Sequence, residues 1–136
     1  MPNSSVIVRD VALPLEQIVV LRPVDMFRSA VEAMSKKRLG ISCIVDGDGL
    51  LVGVFTDGDI RRMLLRDHRP IAALFSEDIA DHMTRNPQTV NPDMTLGDAV
   101  SFMETMDVLD LPMVDQQGHL KGLLHLHTAL KHLLGL

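Results

Sequence analysis

The chain contains the same pattern twice, and this internal repeat constrains its fold more than any other feature. When Pro23 is aligned with Pro92, an offset of about 69 residues holds without a gap through Leu65 and Leu134. The matches are turn glycines and apolar residues: Ala30-Val31 with Ala99-Val100, Met34 with Met103, Val45-Asp46 with Val114-Asp115, Gly49 with Gly118, Leu51 with Leu120 and Gly53 with Gly122. Since turn shape and burial restrict such positions, the matches indicate an internal duplication.

Each copy begins with a predicted strand and helix. The short strand is predicted at Ile18–Leu21 and at Thr89–Val90. The helix has apolar residues at helical spacing, which are Met26, Ala30, Val31 and Met34 in the first copy and Leu96, Ala99, Val100 and Met103 in the second. Short polar side chains precede it, so the candidate N-caps are Asp25 or Ser29 and, in the second copy, Asp93 or Thr95.

A hairpin and a closing helix complete each copy. The predicted strands are Ile41–Val45 with Leu51–Phe55, and Leu111–Val114 with Leu120–Leu124. The predicted closing helices are Asp59–Leu65 and Ala129–Leu134, and the polar segment between the copies is predicted to hold short helices at Ile71–Leu74 and near Ile79–Met83. We divide the chain into a lead-in (1–17), repeat 1 (18–66), a linker (67–87) and repeat 2 (88–136).

The length of the chain favours joint folding of the two copies. One copy of roughly 50 residues buries too little surface to be stable with confidence, whereas two copies can share a core. We therefore expect an α/β (α+β) fold in which two β-α-β-β-α repeats pack about a pseudo-twofold axis and leave equivalent clefts between them. A duplicated cleft favours binding over catalysis, and no nucleophile–base pair, paired catalytic carboxylates or complete metal constellation emerges from the sequence.

Composition and charge argue against several classes of protein. The net charge is −5 and Trp and Tyr are absent, so neither a basic patch nor stacking faces favour a nucleic-acid partner. No apolar stretch approaches a membrane span, and residues 1–10 do not resemble a signal peptide. Cys43, the only cysteine, lies in an apolar run and is expected to be a buried thiol. We expect a soluble cytoplasmic protein.

The segment from Gly53 to Arg62 is the clearest candidate site. A strand ends there and a helix begins, and free N–H groups at a helix start can bind phosphate. Asp59 could accept two ribose hydroxyls, and Arg61 and Arg62 could add charge at a phosphate. Alternatively, Thr56 or Asp57 only caps the helix while the arginines lie in solvent.

The duplicated unit, with Ile44-Val45-Asp46 before its turn and Gly53-Val54-Phe55-Thr56-Asp57-Gly58-Asp59 after it, resembles a tandem CBS-domain pair, or Bateman module. The resemblance extends from about Ile18 to Leu134 and implies that Thr56 and Asp59 bind the phosphate and ribose of an adenine nucleotide. It also implies that Gly40, Ile41 and Ser42 line the base pocket. The remaining ligand-binding candidates of this resemblance are Asp57, Thr84, Leu111 and Pro112.

The second copy departs from the family pattern. His125 and Thr128 stand where the first copy has Thr56 and Asp59, and a threonine cannot accept two ribose hydroxyls as a carboxylate does. His125 and His127 have strand spacing, which predicts that both point to one side, where they could contact an anionic group. The alternatives are two histidines facing water, or a metal site that is short of ligands.

The Thr56–Arg62 run together with Leu124-His125-Leu126-His127 resembles the C-terminal CBS pair of D-arabinose-5-phosphate isomerases, which supply the pathway to the lipopolysaccharide sugar Kdo. The isomerase domain itself has no counterpart here, so we expect a non-catalytic regulatory module, excised or free-standing, that requires no cofactor. The resemblance implies AMP, ATP or CMP-Kdo as ligand and a homodimer formed through CBS helices. The alternatives are a dimerisation module with vestigial clefts and the CBS pair of a sugar-nucleotide transferase.

Overall fold

The computed structural model describes residues 6–136 and separates them into two compact units. The first-repeat unit is Glu16–Pro87, and the second-repeat unit combines residues 6–15 with Gln88–Leu136. The segment before the first repeat thus folds with the second copy of the pattern, through α1 (Val8–Val11) and backbone hydrogen bonds such as that from Val8 N to Met94 O (2.9 Å). The repeat boundaries 18–66 and 88–136 stay a prediction.

The first-repeat unit is built on a four-stranded mixed sheet in the order β1-β2-β3-β4. The first pair of strands is parallel and the other two pairs are antiparallel. The strands are β1 (Val20–Leu21), β2 (Ile41–Val45), β3 (Leu51–Thr56) and β4 (Thr84–Arg85). The helices are α2 (Phe27–Lys37), α3 (Asp57–Arg66) and α4 (Ile71–Phe75), with short 3₁₀ turns at Leu15–Gln17 and Ile79–Asp81.

The second-repeat unit has the same central hairpin and fewer strands around it. Its strands are β5 (Asp110–Val114) and β6 (Leu120–His125), and its helices after α1 are α5 (Leu96–Met106) and α6 (Leu126–Leu133). The predicted strand at Thr89–Val90 is wrong as a strand, because the segment forms only an isolated parallel bridge from Val90 to Met113. That bridge nevertheless occupies the repeat position of the Leu21–Ile44 pair of the first-repeat unit.

The duplication is visible in the backbone as well as in the sequence. Both hairpins have a register shift at the same repeat position, between Ile44 and Val45 and between Met113 and Val114. Asp46 and Asp115 each accept two backbone N–H groups in the turns that follow, and Gly49 and Gly118 adopt positive φ. The first helix of each copy ends on a left-handed residue, Arg38 or Asp107.

Each unit has its own apolar core, and the two cores differ in chemistry. The first-repeat core contains aromatic rings, with Phe27 edge-on to Phe55 at a centroid distance of 5.2 Å and stacked on Phe75 at 5.6 Å. The buried residues of the second-repeat core include no aromatic ring; they are Val8, Val11, Val90, Leu96, Ala99, Met103, Leu111, Met113, Leu124 and Ala129. The expected burial of Cys43 is confirmed.

Several predicted helix starts need correction. Met26 is exposed and is the N-cap of α2, so neither Asp25 nor Ser29 caps that helix. The reason is a partner that lies far along the chain: the N–H of Phe27 donates to the carbonyl of Glu77 (2.8 Å), which replaces a capping side chain. In the second copy, Thr95 is the N-cap of α5, as one predicted alternative had it. The closing helices begin earlier than predicted, at Asp57 and Leu126.

Candidate functional site

The junction between β3 and α3 places Thr56 and Asp59 face to face. The Thr56 hydroxyl accepts the backbone N–H of Asp59 (3.1 Å), and the Asp59 carboxylate accepts the backbone N–H of Thr56 (2.9 Å). This reciprocal arrangement is a capping box, which satisfies two N–H groups at the helix start. Thr56 is therefore the cap, and Asp57 is the first residue of the helix, whose N–H donates to the carbonyl of Gly40 (2.9 Å).

The carboxylate of Asp59 is the centre of the site. Its Oδ2 accepts from the N–H and the hydroxyl of Thr56, and its Oδ1 accepts from Arg62 Nη2 (2.8 Å) and from the Thr84 hydroxyl (3.1 Å). Four hydrogen bonds match the acceptor capacity of a carboxylate. The side chain is only 11% exposed, so these bonds compensate for lost hydration. The structure thus brings together four of the predicted site residues: Thr56, Asp59, Arg62 and Thr84.

The adjacent arginines Arg61 and Arg62 of α3 lie in different surroundings. Arg62 pairs with Asp59 one turn back on the helix, and 57% of its side chain stays exposed. Its guanidinium also lies over the turn, since a Cβ placed on Gly58 would come within 3.2 Å of Arg62 Nη1. Arg61 is exposed and has no hydrogen-bond or ion-pair partner within residues 6–136. The expectation that both arginines are simply solvated is therefore wrong for Arg62.

The predicted base pocket is only partly open. Ile41 and Ser42 are buried, and the Ser42 hydroxyl donates to the carbonyl of Phe55 (3.2 Å). Gly40 is partly exposed beside Asp57 and lines a surface cavity of about 340 Å³ between the end of α2 and the start of α3. Neither Thr56 nor Asp59 lines this cavity.

The second-repeat unit has a different arrangement at the equivalent junction. His125 Nδ1 lies 2.7 Å from Asp110 Oδ1, and the Asp110 side chain is 12% exposed. His125 ends β6 whereas His127 already belongs to α6, so the strand-spacing argument for the two histidines was wrong, although their rings lie 6.5 Å apart. Thr128 is half-buried in the first turn of α6, and Leu111 and Pro112 are buried in β5.

Sequence reasoning missed Asp110. The signal was available, because extending the predicted β5–β6 hairpin by one pair at its open end places residue 110 opposite residue 125, which is the observed register. A carboxylate that bonds one imidazole nitrogen fixes the ring orientation and leaves the other nitrogen for a ligand. The junction of the second-repeat unit thus offers an oriented imidazole where the first offers a carboxylate.

An ion-pair network lies on the segment after α3. Arg69 bonds both Asp67 (2.6 Å) and Glu77 (2.9 Å), and His82 Nε2 bonds Glu77 (2.9 Å). The hydrogen bonds from the Arg69 side chain and backbone lower the pKa of Asp67 to about 2, and the bonds from Arg69 and His82 lower the pKa of Glu77. These residues line a second surface cavity of about 510 Å³. These ion pairs connect residues 67–82, the segment that precedes Thr84.

Within residues 6–136, no group of three or more His, Cys, Asp or Glu side chains is arranged to hold a metal ion. In the same part of the chain, no helix has the length and apolar character needed to cross a membrane.

Comparisons with known proteins agree with the duplicated fold. The family model described as CBS domain matches twice, at residues 8–66 and 77–135. The crystal structure of CBSX2 of Arabidopsis thaliana in complex with AMP superposes with a TM-score of 0.83 at 25% identity, over 96% of this chain and 97% of that one.

Two curated relatives are similar in sequence. An uncharacterized protein of Chlamydia pneumoniae is 34% identical over 127 residues, which is 91% of this chain and 38% of the relative. The arabinose 5-phosphate isomerase KdsD of Francisella tularensis is 30% identical over 117 residues, which is 85% of this chain and 34% of the enzyme. The chain therefore spans about a third of the length of such relatives. Because the family model matches both copies of the duplicated unit, this chain belongs to the CBS-domain family and carries two CBS domains in tandem.

Proposed function

We propose that the chain is a non-catalytic regulatory module that binds a nucleotide or nucleotide-sugar at the β3–α3 junction. The observation that carries this proposal is the cluster of Thr56, Asp59 and Thr84, in which a nearly buried carboxylate faces the start of a helix. The carboxylate suits two ribose hydroxyls, and the positive end of the α3 dipole together with Arg62 suits a phosphate. CBSX2, which has the same fold, is described in complex with AMP.

The ligand class follows from the same chemistry, with AMP, ATP and CMP-Kdo as the candidates. The case for CMP-Kdo is the similarity to arabinose 5-phosphate isomerases, whose pathway that compound would report on. In the second-repeat unit, we propose that His125 and His127 contact an anionic part of a ligand, with Asp110 orienting His125. A ligand that binds one conformation better shifts the population toward it, and this shift would reach an attached isomerase domain.

The test is the change in melting temperature with AMP, ATP, CMP and CMP-Kdo, in the wild type and in Asp59→Ala. At about 100 times its dissociation constant, a ligand adds about 2.7 kcal/mol to the free energy of unfolding. We expect one nucleotide to raise the melting temperature of the wild type and to lose most of that effect in Asp59→Ala, each compared with the same protein without ligand.

Asp98→Ala is the matched control. Asp98 follows the N-cap Thr95 at the third position of α5, as Asp59 follows Thr56 in α3, so the variant loses the same charge at the same helical position. It should respond to ligand as the wild type does. If the ligand raised the melting temperature of Asp59→Ala as much as that of the wild type, the ligand would not bind at the β3–α3 junction. If none of the four compounds raised the melting temperature of the wild type, the proposed function would be contradicted.

A second function, a homodimerisation module, is favoured by exposed leucines at the C-terminal ends of the closing helices. Leu65 is 74% exposed and Leu134, at the same repeat position, is 70% exposed. Exposed apolar side chains at duplicated positions are suited to docking a second copy through α3 and α6. Sedimentation equilibrium of the wild type and of Leu65→Glu with Leu134→Glu tests this function: we expect a dimer that dissociates in the double variant. A monomeric wild type would contradict it.

A further inference from the structure

The site that we propose is already filled by the protein itself. Both oxygens of the Asp59 carboxylate have two donors each, so no acceptor position is left for the two hydroxyls of a ribose. A nucleoside can bind there only if it displaces some of these donors. The structure indicates which donors can leave.

The donors on Oδ2 are part of the helix cap. They come from the N–H and hydroxyl of Thr56, and their loss would also disturb the start of α3. The donors on Oδ1 come from the side chains of Arg62 and Thr84. Arg62 is more than half exposed and is held at Asp59 by one 2.8 Å hydrogen bond, so it can swing away with little disturbance.

The guanidinium of Arg62 covers the turn as well as the carboxylate. A Cβ placed on Gly58 would come within 3.3 Å of both Nη atoms of Arg62 and 3.5 Å from Thr56 Oγ1, so the guanidinium lies close to the first turn of α3. A phosphate at that helix start would meet Arg62 as soon as the arginine left Asp59. An uncharged nucleoside would break the Asp59–Arg62 pair without offering the guanidinium a new anionic partner.

We infer that Arg62 is a specificity-determining residue that exchanges the Asp59 carboxylate for a ligand phosphate, so that the site selects nucleotides over unphosphorylated nucleosides. This inference rests on the proposed function. Without ligand, Arg62 occupies an acceptor position of Asp59 that the ribose would use and neutralises its charge. With a nucleotide bound, Arg62 pairs with the phosphate instead. Arg62 therefore contributes to the preference for the phosphorylated form in two ways. In the ligand-free site it competes with the nucleoside for Asp59, and in the ligand-bound site it stabilises the nucleotide through its phosphate.

The test is isothermal titration with AMP and adenosine, and with CMP and cytidine, of the wild type, Arg62→Met and Arg62→Lys. We expect Arg62→Met to bind the nucleotide more weakly and the nucleoside equally or more tightly, so that the ratio of the two affinities falls by about tenfold. Arg62→Lys, which keeps the charge, should retain most of the ratio. Arg66→Met removes a charge from the last turn of α3 and should leave the ratio unchanged.

Salt gives a second readout with opposite signs for the two ligands. Because the Arg62 side of the Asp59–Arg62 pair is more than half exposed, salt weakens the pair, and raising the salt concentration should tighten nucleoside binding to the wild type while weakening nucleotide binding. In Arg62→Met the nucleoside affinity should no longer depend on salt. An unchanged ratio, or an equal loss for both ligands, in Arg62→Met would overturn the inference while the proposed function stood. No binding of any of the four compounds to the wild type would overturn both.

Discussion

The first-repeat and second-repeat units share a backbone but differ in the chemistry at the strand–helix junction. In both units the first N–H of the closing helix donates to a carbonyl just before the hairpin, from Asp57 to Gly40 and from Leu126 to Leu109, each at 2.9 Å. On this common frame the first-repeat unit places Thr56 with Asp59, and the second places His125 with Asp110. Turn residues and buried positions determine the frame, so the junction side chains can differ without changing the fold.

The largest expected difference between the units lies in their cores. Phe55 and Leu124 occupy the same repeat position and both are fully buried. Phe55→Ala should lower the free energy of unfolding by about 3–5 kcal/mol and Leu124→Ala by about 2–5 kcal/mol, because each leaves a cavity. Phe55→Ala also removes the edge-on contact with Phe27, so we expect it to cost more.

Urea unfolding followed by circular dichroism measures both losses. Phe55→Leu, which gives the first-repeat unit the residue of the second, is the control and should recover a large part of the loss. A smaller loss for Phe55→Ala than for Leu124→Ala would contradict the ranking.

The next effect tests a requirement that the units share. Gly53 and Gly122 occupy the same repeat position, and a Cβ on either would lie too close to backbone: 2.9 Å from the Thr84 carbonyl and 2.6 Å from the Leu13 carbonyl. Gly53→Ala and Gly122→Ala should each lower the free energy of unfolding by about 1–3 kcal/mol. Gly97→Ala, where a Cβ has open space, is the control and should not destabilise the protein in the same urea titration. Equal stability of all three variants would show that the close approach is not required.

The helix caps give a smaller difference. Thr56→Ala should cost about 1 kcal/mol because the capping box of α3 is lost, whereas His125 makes no side-chain cap at the start of α6. Combining Asp110→Ile, His125→Thr and Thr128→Asp transplants the first junction onto the second and should stabilise the protein by about 1 kcal/mol. Thr128→Asp alone, which adds only charge, should give less. Thermal unfolding measures the series, and a transplant no better than Thr128→Asp would contradict the comparison.

The smallest effect concerns pH and tests the ion-pair network of Asp67, Arg69 and Glu77 in the first-repeat unit. The folded protein holds the pKa of Asp67 at about 2, below its ordinary value of 3.8, and that of Glu77 below 4.5. A lowered pKa contributes stability above the ordinary value, and this stability is lost as pH falls toward the folded pKa. The urea midpoint should therefore fall between about pH 4.5 and pH 2, and less steeply in Arg69→Met.

Arg9→Met is the control for this comparison, because it removes an exposed ion pair from the second-repeat unit. Its midpoint should follow the same pH course as the wild type. Identical slopes for Arg69→Met and the wild type would mean that the network contributes nothing to acid stability.

Local patterns predicted the hairpins well and the helix starts less well. The bounds Ile41–Val45 are confirmed, because a short run of residues that are all buried, followed by an aspartate and a glycine in the turn, acts within a few positions of sequence. The cap of α2 was wrong because its first N–H is satisfied by Glu77, which lies far along the chain. Similarly, local sequence predicted Thr56 as a candidate cap, and the resemblance to a CBS-domain pair made Thr56 and Asp59 candidate site residues, but the pairing of Asp59 with Arg62 needed the actual rotamers.

By itself, the sequence determined the duplication, the hairpins and the positions of the two strand–helix junctions, because these depend on residue spacing and turn chemistry. Only the tertiary structure decided that residues 6–15 fold with the second copy and that Thr84 reaches Asp59 across 25 positions of sequence. It also decided that the Asp59 carboxylate is saturated, since the donors come from a cap, a helix face and a separate strand. Which donors converge on one carboxylate depends on how these elements pack, and no local pattern encodes that packing.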